Sequence, residues 1–137
     1  MNIPRTPLIL GLAGLIPVVL GAALASFGGA ALPVAIGIGI LLNYGTVILA
    51  FMSGVLWGFA AKGWNLGYAL SVIPALWAFF ASFLDDQARM IALAVGFAAI
   101  LGLDYAFRSL APPWWLRLRM ILTGVVLTCF GTTIVFI

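Results

Sequence analysis

The sequence has no histidine and no glutamate, a single cysteine, and three acidic residues in all: Asp85, Asp86 and Asp104. With those ligand types missing, nothing in the chain composes a zinc or transition-metal set, so no metal and no cofactor is expected. Nucleophilic catalysis has equally little to stand on. Ser53, Ser71 and Ser82 have no histidine to activate them, and Lys62 lies at a helix end. No catalytic residue is assigned, and the chain is expected not to be an enzyme. Cys129 has no mate for an intrachain disulfide. Six basic residues against three acidic ones are too sparse and too dispersed for a nucleic-acid footprint. A channel or transporter needs a polar lining, which this chain hardly supplies.

What is present is apolar surface. Hydrophobic residues make up 66% of the chain and charged residues 7%, where a soluble domain carries roughly a quarter charged; the mean hydropathy is +1.30. The chain therefore reads as an integral membrane protein. Its 137 residues accommodate about five spans of roughly 20 residues, leaving nothing for a soluble domain. The expected fold is all-α, a polytopic bundle of five transmembrane helices forming one domain over 1–137, with spans near 7–27, 34–61, 64–84, 88–107 and 115–136.

Local signals set those limits. Pro17 should bend the first span, whose small residues Gly14, Gly21, Ala25 and Gly28 share a face with Val18. A cleavable leader is the competing reading of this stretch, from Arg5, the apolar run and Ala23-Leu24-Ala25, but Pro17 and the glycines weaken such a core. A connection is expected over Gly28 to Pro33. The second span is long and rich in glycine at its start, so it is either tilted or irregular there, and Gly63 suits a left-handed cap. Asn65 is expected to cap the third span, Pro74 to kink it, and Asp85 or Asp86 to cap the fourth. Pro112-Pro113 forces a break before the fifth.

Basic residues set the orientation. An internal N-terminus places Arg5, Lys62, Arg108, Arg117 and Arg119 on the cytoplasmic side and only Arg89 outside, with Asp85 and Asp86. Trp57, Trp64, Trp114 and Trp115 then form a belt at the cytoplasmic headgroups, and the C-terminus is external.

Two groups of candidate site residues stand out. On the second span, Asn43, Val47, Ala50, Gly54, Gly58 and Ala61 fall on one stripe, whose small-xxx-small pair would let another helix approach closely. Tyr44, Phe51 and Trp57 flank it. The group Asn43, Tyr44, Phe51, Gly54, Trp57 and Gly58 reads either as a contact for a ligand or partner helix or as ordinary interhelical packing. Asn43 in particular must find a partner, since an unpaired amide in hydrocarbon is costly. The second group lies at the cytoplasmic end. Asp104, the only acid within a span, invites a proton-relay reading, but no second titrating group shares its depth; a structural ion pair with Arg108, Arg117 or Arg119 is the expected role. Trp114 and Trp115 beside Arg117 and Arg119 suit contact with anionic lipid head groups, or plain anchoring.

Three motifs carry a resemblance: Pro4-Arg5-Thr6-Pro7 with Leu10-Gly11-Leu12-Ala13-Gly14-Leu15-Ile16-Pro17; Tyr44-Gly45 followed by Gly54 and Trp57-Gly58; and Ala111-Pro112 with Trp114-Trp115, Leu118-Arg119 and Thr123. Over nearly its whole length the chain resembles the transmembrane protein 69-like family, a domain-of-unknown-function family of bacterial inner membranes and mitochondria. The resemblance implies a fold and a location, with no settled activity. Where that family commonly has a histidine before the second motif's tryptophan, this chain has Leu56, so any role of that histidine is lost. The tryptophan-rich sensory protein family is similar in shape only, because its Trp-x-Pro-Pro and late Asn-Trp motifs are missing; porphyrin or sterol binding would be an analogy of form.

The resulting expectation is a non-enzymatic protein of the bacterial inner membrane, in contact with lipids. It would serve as an accessory, assembly or interaction subunit that binds another membrane protein or itself. The alternative is a binder or carrier of a small lipophilic ligand held between helices around Asn43, Tyr44 and Phe51. An exposed glycine-rich face favours the first, an internal cavity with converging polar groups the second.

Overall fold

A computed structural model describes residues 2–137. The chain forms seven helical segments: α1 (Arg5–Ala13), α2 (Ile16–Phe27), α3 (Ala31–Ala60), α4 (Asn65–Ser71), α5 (Ile73–Ala81), α6 (Asp86–Ala106) and α7 (Trp115–Phe136). Among the described residues there is no strand. The segments α1–α2 and α4–α5 are each one rod interrupted at a single place, so the architecture is five rods. Four of them, Arg5–Phe27, α3, α6 and α7, are long and apolar enough to cross a membrane. The fifth, Asn65–Ala81, is apolar but shorter.

Both interruptions come from proline. Pro17 and Pro74 lack an N–H and crowd the carbonyl four residues back, which ends the preceding helix; each sits in the first turn of the following segment, where the missing donor costs nothing. At the second break, neighbouring α3 repairs the ladder, with Ser53 Oγ accepting from the Ala75 N–H at 2.8 Å.

Several boundaries differ from the sequence-based expectation. The second span begins earlier, at Ala31, and α3 runs unbroken for 30 residues, so its glycine-rich start is regular helix; Pro33 lies in the first turn, and the connection shrinks to 28–30. Asn65 is the first residue of α4 and makes no cap bond; Trp64 occupies the cap position. Asp85 caps α6, its carboxylate accepting from the Ala88 N–H at 2.8 Å, while Asp86 lies in the first turn. Gly63 has a positive φ of 135°, the conformation that ends the α3 corner at low steric cost.

Helix α3 is the centre of the bundle, touching α2, α4, α5 and α6. Its closest neighbour is α2, and two glycines explain why. A Cβ on Gly37 would lie 2.4 Å from the backbone N of Ala25 and 2.5 Å from the carbonyl of Gly21, so the two backbones are in direct contact there. The core proper is Leu41, Leu49, Leu56, Met90, Leu93, Phe97, Ile100, Phe107 and Phe130, all fully buried or nearly so.

Charge is divided between the two ends. Lys62 Nζ donates to the Leu110 carbonyl at 2.9 Å, tying the α3–α4 corner to the α6–α7 connection. Arg5, Arg108 and Arg117 belong to this same end by chain order, while Asp85 and Asp86 open α6 at the other.

Candidate functional site: a crevice between the first, third and last rods

The break after Ala13 decides where space is left. Below it, α2 is clamped to α3 at Gly21 and Gly37. Above it, α1 has no buried residue and rests on α7, where Gly11 lies against Leu118 and Leu122. Between α1, α3 and α7 remains a cavity of about 540 Å³, within the range of small-molecule sites.

Its wall is mainly apolar. Tyr44, Ile48 and Phe51 line it from α3, Leu10 and Gly14 from the first rod, Phe97 from α6, and Trp115, Leu122 and Val126 from α7. The Tyr44 hydroxyl donates to the Gly14 carbonyl at 2.8 Å, fastening α3 to the helix break. The cavity is open to the surface of the bundle, where Leu10 and Phe51 of its wall are 67% and 63% exposed. In a bilayer that opening meets acyl chains.

One end of the cavity is polar. Arg119 and Thr123, one turn apart on α7, both line it and are 5% and 1% exposed. Arg119 Nε donates to Asp104 Oδ2 at 3.0 Å, and the Trp115 indole donates to Asp104 Oδ1 at 3.2 Å. The buried carboxylate is therefore held by two donors from α7, which is how a charge at this depth is accommodated. Arg119 Nη2 and Thr123 Oγ1, however, are buried and have no hydrogen-bond partner among the described residues. The other threonines of α7 behave differently: Thr128, Thr132 and Thr133 each donate to the carbonyl four residues back.

The expected site residues separate into three sets. Tyr44 and Phe51 line the cavity, as do Trp115 and Arg119. Asn43, Gly54, Trp57 and Gly58 do not; all four are exposed on the outer face of α3, and Gly54 and Gly58 have open space where a Cβ would be. The Asn43 amide makes no hydrogen bond among the described residues, and it borders a shallow outer groove with Pro17, Ile36 and Gly39. Of the three arginines offered to Asp104, Arg119 is the one that pairs. Arg108 instead donates to the Tyr105 carbonyl at 2.8 Å and stacks on that ring, and Arg117 and Trp114 lie outside the cavity. The sequence reading passed over Thr123 as a site residue; its spacing of four from Arg119 was the available signal.

No three residues of the metal-binding types come together among the described residues. A match to the protein family described as "Protein of unknown function (DUF3429)" covers residues 3–135. The chain is also 38% identical over 131 residues to transmembrane protein 69 of Xenopus tropicalis, a match covering 89% of this chain and 51% of that protein. The chain thus spans about half the length of the curated relative it matches. No solved structure matches it. Of the residues on which the resemblance rests, Pro7, Gly11, Gly14, Tyr44, Arg119 and Thr123 line the cavity, while Gly54, Trp57, Gly58 and Trp114 do not.

Proposed function

The chain belongs to the DUF3429 family of proteins of unknown function, and from that premise we propose that it is a non-enzymatic multi-pass membrane protein that binds a small lipophilic molecule in the crevice between α1, α3 and α7. One observation carries this reading: a cavity of about 540 Å³ is lined mainly by apolar and aromatic side chains, with Tyr44, Arg119 and Thr123 as the few polar residues of its wall. An apolar cavity of this size with a few polar groups in its wall is the usual form of a site for a small lipophilic molecule. The lateral opening at Leu10 and Phe51 lets such a molecule enter from the lipid. The basic end of the bundle lies in the cytoplasm by the positive-inside rule, with the N-terminus inside and the C-terminus outside a bacterial inner membrane.

The test is purification from the native membrane in a mild detergent, followed by mass spectrometry of everything that comes with the protein. A stoichiometric small molecule, lost in Phe51→Ala or Leu122→Trp, supports the reading. A protein that carries none, and takes up none from a native lipid extract, sinks it.

The second reading, an accessory subunit, draws on the outer face of α3. Asn43, Val47, Ala50, Gly54 and Gly58 stay exposed after the five rods pack, which suits a close-packed partner helix from another membrane protein or a second copy. Co-purification of one protein in fixed proportion, abolished by Gly54→Leu, favours it.

A further inference from the structure

We propose that the occupant of the crevice is a single-chain lipid with an anionic head, whose chain is longer than one leaflet is deep and runs from the α1–α3–α7 crevice past Val47 into the outer groove between α2 and α3. This rests on the ligand-binding reading above and deepens it by fixing the length of the chain and the place of the head.

Two hollows adjoin on α3. The crevice is lined along that helix from Tyr44 to Val55 and the outer groove from Ile36 to Val47, so Tyr44 and Val47 belong to both walls. Tyr44 closes the junction on the side of the first rod, where its hydroxyl is held on the Gly14 carbonyl. Val47 borders the same junction and is 60% exposed. The passage from one hollow to the other therefore lies on the lipid side of the bundle, beside Val47.

Length follows from the helix rise. From Ile36 to Val55, α3 advances about 28 Å, close to the hydrocarbon thickness of about 30 Å. The crevice alone, from Tyr44 to Val55, covers about 17 Å, which is roughly one leaflet. A chain of leaflet depth fills the crevice and stops there. Only a chain about twice that length gains contact with Pro17, Ile36, Gly39 and Ile40 in the groove. The groove wall is apolar apart from the Asn43 amide. Gly39 keeps it open, since nothing lies within 4 Å of where its Cβ would be.

Charge places the head. The crevice begins in the first turns of α1 and α7, at Pro7 and Trp115, and the exposed Arg5 opens α1 just ahead of Pro7. Arg119 adds no net charge here, being paired with Asp104; Arg5, Lys62, Arg108 and Arg117 make this end basic. At the opposite end Asp85 and Asp86 open α6, and Arg89 Nη2 is engaged, donating to Thr46 Oγ1 at 3.0 Å. An anionic head is favoured at the Arg5 end, with the chain pointing toward Ile36.

The experiment is native mass spectrometry of the intact protein in a mild detergent. The probes are farnesyl phosphate, whose chain is about as long as one leaflet is deep, hexaprenyl phosphate, with a chain twice as long, and the uncharged hexaprenol. Hexaprenyl phosphate is expected to bind about tenfold more tightly than farnesyl phosphate. Val47→Trp, which blocks the passage, and Gly39→Leu, which fills the groove, should each bring that ratio near one while farnesyl phosphate binds as before. Partition into detergent also favours the longer chain, but neither substitution alters it. Arg5→Gln should weaken hexaprenyl phosphate about fivefold and leave hexaprenol unchanged. Unfolding midpoints without ligand check that the three variants fold. A preference for the longer chain that survives both Val47→Trp and Gly39→Leu, or no preference in the wild type, overturns the chain assignment. Hexaprenol bound as tightly as its phosphate overturns the head assignment. Either result leaves the ligand-binding reading standing. Binding of neither prenyl phosphate sinks this proposal, and the ligand-binding reading falls with it only when the native lipid extract also yields nothing.

Discussion

Arg119 Nε donates to Asp104 Oδ2 at 3.0 Å across the α6–α7 turn, and the two side chains are almost wholly buried. Removing one partner of such a pair leaves an uncompensated charge, so Asp104→Asn should cost about 3 kcal/mol, seen as a lower unfolding midpoint in detergent. The double change Asp104→Leu with Arg119→Met should recover most of that loss. A pair that is structural also leaves no proton-coupled signal to lose; proton flux in reconstituted wild type, absent from Asp104→Asn, would show a relay instead.

Gly37 and Gly54 lie on the same helix but answer differently to a methyl group. Gly37→Ala drives a Cβ to 2.4 Å from the α2 backbone, whereas Gly54→Ala meets nothing within 4 Å. The first should destabilise by about 1–3 kcal/mol; the second should be neutral or stabilise by up to about 1 kcal/mol. Thermal unfolding of the two variants side by side checks the contrast.

Ser53 supplies a hydrogen bond that α5 has no means of making for itself after the break at Val72. Ser53→Ala leaves the Ala75 N–H unpaired in a part-buried setting, at a cost of about 1 kcal/mol. Hydrogen exchange over 73–77 should accelerate, with α6 and α7 unaffected. Equal acceleration throughout the chain would mean that the bond is no local stitch.

The two ends of the bundle should be distinguishable by chemical labelling. With Cys129 replaced by alanine, Gln87→Cys should react with a membrane-impermeant maleimide in intact cells, and Ser109→Cys only after permeabilisation. Reaction of Gly63→Cys must follow Ser109→Cys if Asn65–Ala81 crosses the membrane. Labelling of Gly63→Cys together with Gln87→Cys would reduce that rod to a re-entrant piece.

Helix α7 was legible to the residue, because Pro112-Pro113 stops the chain ahead of it and its apolar run is uninterrupted to Phe136. The breaks at Gly14 and Val72 were legible only as bends: proline announces a lost hydrogen bond, but whether the helix kinks or stops depends on what a neighbour offers, here Tyr44 and Ser53. Small faces were readable on several helices, yet their periodicity is the same whether they are used or not. Gly21 and Gly37 turned out to be the contact, while Gly54, Gly58, Gly124 and Gly131 face open space. The partner of Asp104 lay beyond reach of spacing alone, since the choice among three arginines is made by how the 107–114 turn folds α7 back onto α6. The cavity was half visible: Tyr44 and Phe51 announced it, and Thr123 did not.

Helix α3 has a further effect on its surroundings. At 30 residues it is about 45 Å long, so lying within a hydrocarbon layer of about 30 Å would demand a lean near 48°, beyond the usual limit of about 40°. The rod Asn65–Ala81 beside it is only about 25 Å long. The central rod thus asks for a thick bilayer and the rod packed beside it for a thin one. Were both rods to cross the membrane, the lipids around a single copy would form a wedge, with longer chains along α3 and shorter ones along the exposed Leu76, Phe79 and Phe80. Such a protein would sort its own annulus, and its neighbours would meet a ramp in thickness rather than a flat edge.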